Sequence, residues 1–235
     1  MTLTWLETTE STNADMLALI AKGEAQEGDW VIAERQTSGR GRLGRRWESP
    51  SGNLCATTAV KLRPTDPPAT TIAFVAGFAL WGSSHVSCAE LKWPNDLVIG
   101  THKLAGILLE RVGDFIVIGF GLNVASAPEV FGRATARVHD FADENVTWLT
   151  IFDCLQLQFA DTLNKWRELG FDYTRRCWES EGPKRGTHLT VALPSGATIS
   201  GAYDGLTDEG ALRLRLASGR LENVYAGDVQ LVETH

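Results

Sequence analysis

The pattern of hydrophobic and polar positions changes character along the chain, and each change predicts an element. Ser11-Thr12-Asn13-Ala14-Asp15 precedes the apolar run Met16-Leu17-Ala18-Leu19-Ile20 and then Gly23, the pattern of a polar helix start and a glycine stop. Residues 30–33 are apolar and β-branched and predict a strand. Residues 53–62, rich in Thr and Val, predict another. Pro64, Pro67 and Pro68 break the chain before an apolar stretch, 71–83, that predicts a buried helix. Strand-like segments then surround Pro94-Asn95-Asp96 and fill 104–112 and 115–124, with Gly113-Asp114 as a hairpin turn. Together these predict a central mixed sheet. Leu149, Phe152, Leu155, Phe159, Leu163 and Trp166 recur at helical spacing and predict a long amphipathic helix. After Gly182-Pro183 the period shortens: 188–192, 198–203, 211–216 and 222–225 are short strands between turn-forming residues, the pattern of a small β-barrel. These readings give an α+β fold with two domains, 1–182 and 183–235.

Composition changes the picture little. The 235 residues are 43% hydrophobic and 22% charged, enough apolar material for a real core. The formal net charge of −7 argues against a non-specific nucleic-acid binder, since a polyanion repels an acidic surface. Basic residues are nevertheless concentrated between Arg35 and Arg46, which suits a small anionic ligand. Cys55, Cys88, Cys154 and Cys177 form no CxxC pair, so neither a zinc site nor a disulfide framework is expected. The first residues lack the basic and apolar regions of a signal peptide, and the longest apolar run falls short of the ~20 residues that span a bilayer. A cytoplasmic protein without a membrane partner is expected.

Four segments carry candidate chemistry. Gly39-Arg40-Gly41-Arg42-Leu43-Gly44-Arg45-Arg46-Trp47 contains a literal GxGxxG, but a dinucleotide loop must open a helix, and Glu48-Ser49-Pro50-Ser51-Gly52 cannot start one of useful length. The alternatives are an anion-binding loop, in which arginines make bidentate contacts to phosphate or carboxylate, and a solvated basic loop. Lys92-Trp93-Pro94-Asn95-Asp96 presents Lys92, Asn95 and Asp96 at a strand end, a set that suits phosphates with bridging Mg²⁺ or, equally, a polar turn. Lys103 opens the apolar segment Leu104-Ala105-Gly106-Ile107-Leu108-Leu109-Glu110, where Gly106 permits close approach of a ligand. Gly119-Phe120-Gly121-Leu122-Asn123-Val124 is a glycine-interrupted strand ending in Asn.

Each segment has a bland reading alone, but their order along one chain does not. With Ser11-Thr12-Asn13 and Gln36-Thr37-Ser38 ahead of the loop, the set resembles the biotin–protein ligases, and Ala226-Gly227-Asp228-Val229 looks like part of that family's SH3-like C-terminal domain. The resemblance implies a class II synthetase-like catalytic domain with ATP and Mg²⁺ as cofactors. It implies that biotin is activated as biotinyl-5′-adenylate and passed to a lysine of a biotin carboxyl carrier domain. It assigns Lys103, Arg40 and Arg42 to catalysis. Ser11, Thr12, Asn13, Gln36, Gly39, Arg40, Gly41, Arg42, Lys103 and Gly106 would bind biotin. Arg42, Arg45, Trp47, Lys92, Asn95 and Asn123 would bind the nucleotide, and Asp96 the metal. Family members with an N-terminal helix-turn-helix repress transcription; with Ser-Thr-Asn beginning at residue 11, a ligase without DNA binding is expected. Some members pair sheet edges as homodimers. Lipoate or octanoate ligases and transferases share the catalytic fold and are the alternative function, as is a non-catalytic biotin sensor.

Overall fold

The computed structural model describes residues 1–128 and 134–231. Its element order is β1 (Leu3–Thr9), α1 (Thr12–Ala21), β2 (Trp30–Gln36), β3 (Leu54–Lys61), α2 (Ile72–Ser83), β4 (Glu90–Lys92), β5 (Asp96–Ile99), β6 (His102–Val112), β7 (Phe115–Leu122), α3 (Trp148–Leu169), α4 (Phe171–Glu181), β8 (His188–Ala192), β9 (Thr198–Leu206), β10 (Leu212–Arg215), β11 (Leu221–Val224) and β12 (Asp228–Leu231). The first seven strands form one mixed sheet in the order β1-β2-β3-β7-β6-β5-β4. β1 runs parallel to β2, and the remaining pairs are antiparallel. The last five strands form a second, antiparallel sheet in the order β11-β10-β9-β8-β12.

Strand alternation assigns the two faces of the large sheet different tasks. On one face Trp30, Ile32, Ala56, Ile118 and Phe120 are buried within the main core, together with residues of α2 and α3. Trp30 stacks on Phe120 at 5.8 Å between ring centroids and meets Phe152 and Phe159 of α3 edge-on. Rings of this size supply much of the burial that holds a helix to a sheet. The other face is shared. Val31, Ala59 and Val117 pack against Met16 of α1 in a smaller cluster. Further along the same strands the side chains dwindle: Thr57 pairs with Gly119, and Gly121 pairs with Gly106. The core therefore stops at a patch of bare backbone, and a cleft lies over it.

The N-terminal helix begins at the residue expected. Ser11 occupies the N-cap position, but its side chain makes no capping hydrogen bond. The expected strands and helices of the first 170 residues are present with boundaries shifted by a few residues. β1, α4 and β12 are additional to the expectation. Among the described residues no helix is long and apolar enough to cross a membrane.

Candidate active site

The cleft has a volume of about 960 Å³ and is lined by residues from several separate parts of the chain. Ser11, Thr12 and Asn13 come from the start of α1, Gln36 from the end of β2, and Lys92, Asn95, Asp96 and Lys103 from the β4–β6 end of the sheet. Arg40, Gly41, Arg42, Arg45, Arg46 and Trp47 come from the loop after β2, and Asp228, Val229 and Gln230 from β12 of the second sheet. Every residue to which the resemblance gives a role in catalysis or in binding biotin, nucleotide or metal lines it except Gly39 and Asn123.

The loop is a miniature hairpin. Arg40 and Arg46 form an antiparallel bridge, the Gly41 amide donates to the Arg45 carbonyl at 2.7 Å, and the Trp47 amide donates to the Gly39 carbonyl at 2.9 Å. A Cβ at Gly39 would stand 2.4 Å from the Trp47 carbonyl oxygen, so the hairpin closes only around glycine there. Leu43 sits at the tip with φ +57° and is exposed. That left-handed conformation costs roughly 1–2 kcal/mol for a side-chain-bearing residue. No helix follows the loop, which removes the dinucleotide reading; the segment is a three-residue 3₁₀ turn, Arg42–Gly44.

Three arginines of the loop are held by acceptors outside it. Arg42 donates to the Asn95 side-chain oxygen at 2.9 Å and to the Gly227 carbonyl at 3.3 Å. It also lies 3.7 Å from the Asp228 carboxylate, which Arg45 grips directly. Arg40 faces Glu110 of β6 at 3.4 Å. The Trp47 indole lies on the bare strip: a Cβ at Gly121 would meet it at 2.5 Å.

Lys103 is a largely buried cation of the cleft. Its ammonium contacts Asp96 at 2.6 Å, its side chain is 12% exposed, and it stands 5.3 Å from the centre of the Trp47 ring. The β5–β6 pairing sets Asp96 opposite Gly106 and Val98 opposite Lys103, so Asp96 lies two residues along β5 from the partner of Lys103, across a register shift at Leu97–Val98.

The family-model comparison matches residues 5–123 to the Biotin/lipoate A/B protein ligase family and residues 188–232 to the Biotin protein ligase C terminal domain. The chain is 32% identical over 230 residues to a biotin–[acetyl-CoA-carboxylase] ligase of Paracoccus denitrificans, covering 92% of this chain and 95% of that one. The chain belongs to the biotin–protein ligase family. A ligase of the same description from Mycobacterium tuberculosis is 36% identical over 234 residues, covering 94% of this chain and 85% of that one. In fold the chain resembles the biotin protein ligase of Aquifex aeolicus solved with biotin and ATP, with a TM-score of 0.81, 24% identity and 99% coverage of both chains.

Within this family member, several polar residues that the sequence did not single out organise the cleft. Thr57 is fully buried and its hydroxyl lies 2.8 Å from both the Thr12 hydroxyl and the Asn13 side-chain oxygen. The Thr12 amide and hydroxyl donate to the Gln36 side-chain oxygen, and the Gln36 nitrogen donates to Ser49 at 2.9 Å. Beneath them Cys55 is buried; burial pushes its thiol up to about 11, against the opposing hydrogen bonds of Ser49 and Gln36. Asn123 stands outside the cleft lining. Its amide donates to the Ala136 carbonyl at 3.0 Å and, at 3.5 Å, towards the Lys103 carbonyl, so it ties the start of β6 to residue 136 outside the cleft lining.

Proposed function

We propose that the chain condenses biotin with ATP and transfers the biotinyl group to a lysine of a biotin carboxyl carrier domain. A biotin carboxylate oxygen attacks the α-phosphorus, the bond from that phosphorus to the bridging oxygen breaks, and pyrophosphate leaves. The carrier lysine amine then attacks the acyl carbon of the mixed anhydride, AMP leaves, and the amine loses a proton. The first step brings two anions together, so it needs fixed positive charge at the meeting point.

The observation that carries this reading is Lys103, a buried ammonium at the end of a glycine-floored cleft, with the arginine loop beside it. Lys103 would stabilise charge on the carboxylate and α-phosphate. Arg40 and Arg42 would hold the adenylate from the loop, and Arg45, Trp47, Lys92 and Asn95 the nucleotide. Ser11, Thr12 and Gln36 would bond the ureido head of biotin. Asn13 stands on the same wall, Gly41 lets the loop backbone approach the ligand, and Gly106 leaves room above the sheet. The loop arginines have anionic or carbonyl partners that phosphate oxygens can replace.

Among the described residues no cluster of three or more metal-ligating side chains exists. Mg²⁺ commonly takes one or two carboxylates and completes its shell with phosphates and water. Asp96 fits that use and is the residue that would hold it, exchanging with Lys103. When bound, the ion would screen the negative charge of the phosphates. We place the boundary between catalytic and C-terminal domains near residue 183, between α4 and β8.

The test is ATP-dependent transfer of labelled biotin, against labelled lipoate, to a biotin carboxyl carrier domain. Incorporation of biotin with ATP supports the reading. Incorporation of lipoate in its place would assign the cleft to the other substrate class. Biotin bound but never transferred would make the chain a sensor.

A further inference from the structure

Both ends of the Asn13 amide are held by protein. Its side-chain oxygen lies 2.8 Å from the Thr57 hydroxyl, its nitrogen donates to Glu110 at 2.8 Å, and it is 4% exposed. The same Glu110 carboxylate receives Arg40 of the loop, at 3.4 Å to one oxygen and 3.5 Å to the other. Glu110 reaches this position because it shares a strand face with Gly106 and Leu108, and its β7 partner is Val117. Hydrogen bonds therefore run from Ser49, just after the loop, through Gln36, Thr12, Thr57 and Asn13 to Glu110, and the ion pair returns to Arg40.

We infer that Glu110 is a positioning residue, which anchors Arg40 of the arginine–glycine loop to the Ser11-Thr12-Asn13 wall. The inference rests on the proposed function for its catalytic meaning, but not for its geometry. Glu110 is not among the residues that line the cleft. It fixes Arg40, which would close over the adenylate, and it takes the second side of the amide that shapes the biotin wall. A neutral Gln at 110 can still accept from Asn13, whereas it cannot pair with the Arg40 charge. Ala removes both. The two substitutions therefore separate the two contacts.

The experiment uses the full chain with and without ligands. In the ligand-free protein, trypsin cleavage after Arg42, Arg45 and Arg46 reports opening of the loop, because a folded hairpin is cut from its opened state. E110Q is expected to raise that cleavage rate about two- to fivefold, the size typical of a partly exposed ion pair. The rise should disappear in an Arg40→Gln background and be reproduced in the wild type by raising the salt concentration. Biotin affinity by calorimetry should be unchanged within about twofold in E110Q and weakened in E110A, because one keeps the bond to Asn13 and the other does not. Circular dichroism verifies that both variants are folded; if E110A is not, the cleavage measurement on E110Q still decides. Wild-type cleavage rates in E110Q, or the same rise without Arg40, would overturn the proposal. A chain that binds no biotin but shows the Arg40-dependent rise would refute the functional reading and leave the positioning role standing.

Discussion

Replacing Gly119 with Ala probes how the cleft wall is held. A Cβ at position 119 would stand 2.1 Å from the Asn13 side-chain oxygen and 2.9 Å from its Cγ. An ordinary carbon–oxygen contact needs about 3.2 Å, so the Asn13 amide would have to retreat by about 1 Å. It has no slack, because Thr57 and Glu110 hold it at 2.8 Å on its two sides. A retreat of that size stretches both bonds past useful length. One is a neutral hydrogen bond, at about 1 kcal/mol, and the other goes to a carboxylate, at about 1.5–3 kcal/mol. Allowing for part of this being recovered by water at the cleft, the loss is roughly 3 kcal/mol. For a chain of this length that lowers the melting temperature by roughly 6–12 °C. The decisive assay is a double-mutant cycle by urea unfolding. With Asn13→Ala as the second substitution, the added methyl has nothing to meet, so the double variant should be no less stable than Asn13→Ala alone. Additive losses would refute the contact as the cause, and a Gly119→Ala protein as stable as the wild type would refute the packing itself.

Three further outcomes follow from other contacts. Arg167 is buried between Glu27 and Asp66, so Arg167→Ala strips the buried Asp66 of this cation, leaves Glu27 with Arg63, and should cost about 3 kcal/mol in urea unfolding; the Arg167 hydrogen bond holds Glu27 below its ordinary value of 4.5, so its contribution is complete above that pH and is lost as the pH falls below it, which an acid titration will show more strongly in the wild type than in the variant. Cys55, its thiol pushed up to about 11 by burial, should stay unlabelled by a disulfide reagent at pH 8 until the protein unfolds, while the exposed Cys88 reacts at once; prompt labelling of Cys55 would contradict its burial. Asp228→Asn removes the anion that Arg42 and Arg45 share, and should weaken the docking of the loop on β12, seen as faster tryptic cleavage of the loop that added ATP reverses.

The sequence made the site legible in pieces and left its wiring hidden. The glycine–arginine loop, the turn at Pro94, Lys103 and the Ser11-Thr12-Asn13 start of α1 were legible because each carries its chemistry in consecutive residues. The hairpin form of the loop was not, since it depends on the Gly39–Trp47 and Gly41–Arg45 bonds. Thr57, Ser49, Glu110 and Asp228 act through partners far away in sequence; Thr57 lies 44 residues from Asn13. Glu110 did leave a signal, as a charge two and four positions from Leu108 and Gly106 on one strand face. β1 escaped notice because Leu3–Thr9 alternates poorly and its parallel partner lies beyond a helix. The bonds from the Asn123 amide to the Ala136 and Lys103 carbonyls are likewise tertiary, and its motif gave no sign of them.

The central claim is that Lys103 activates biotin at this cleft. It is tested most directly by mixing the chain with biotin and ATP labelled at the α-phosphate, with no carrier present. The account predicts that labelled biotinyl-adenylate accumulates on the wild type, and that Lys103→Gln binds biotin but forms the adenylate at least about a hundredfold more slowly. Adenylate formed at the wild-type rate by Lys103→Gln, or no labelled adenylate on the wild type, would contradict it.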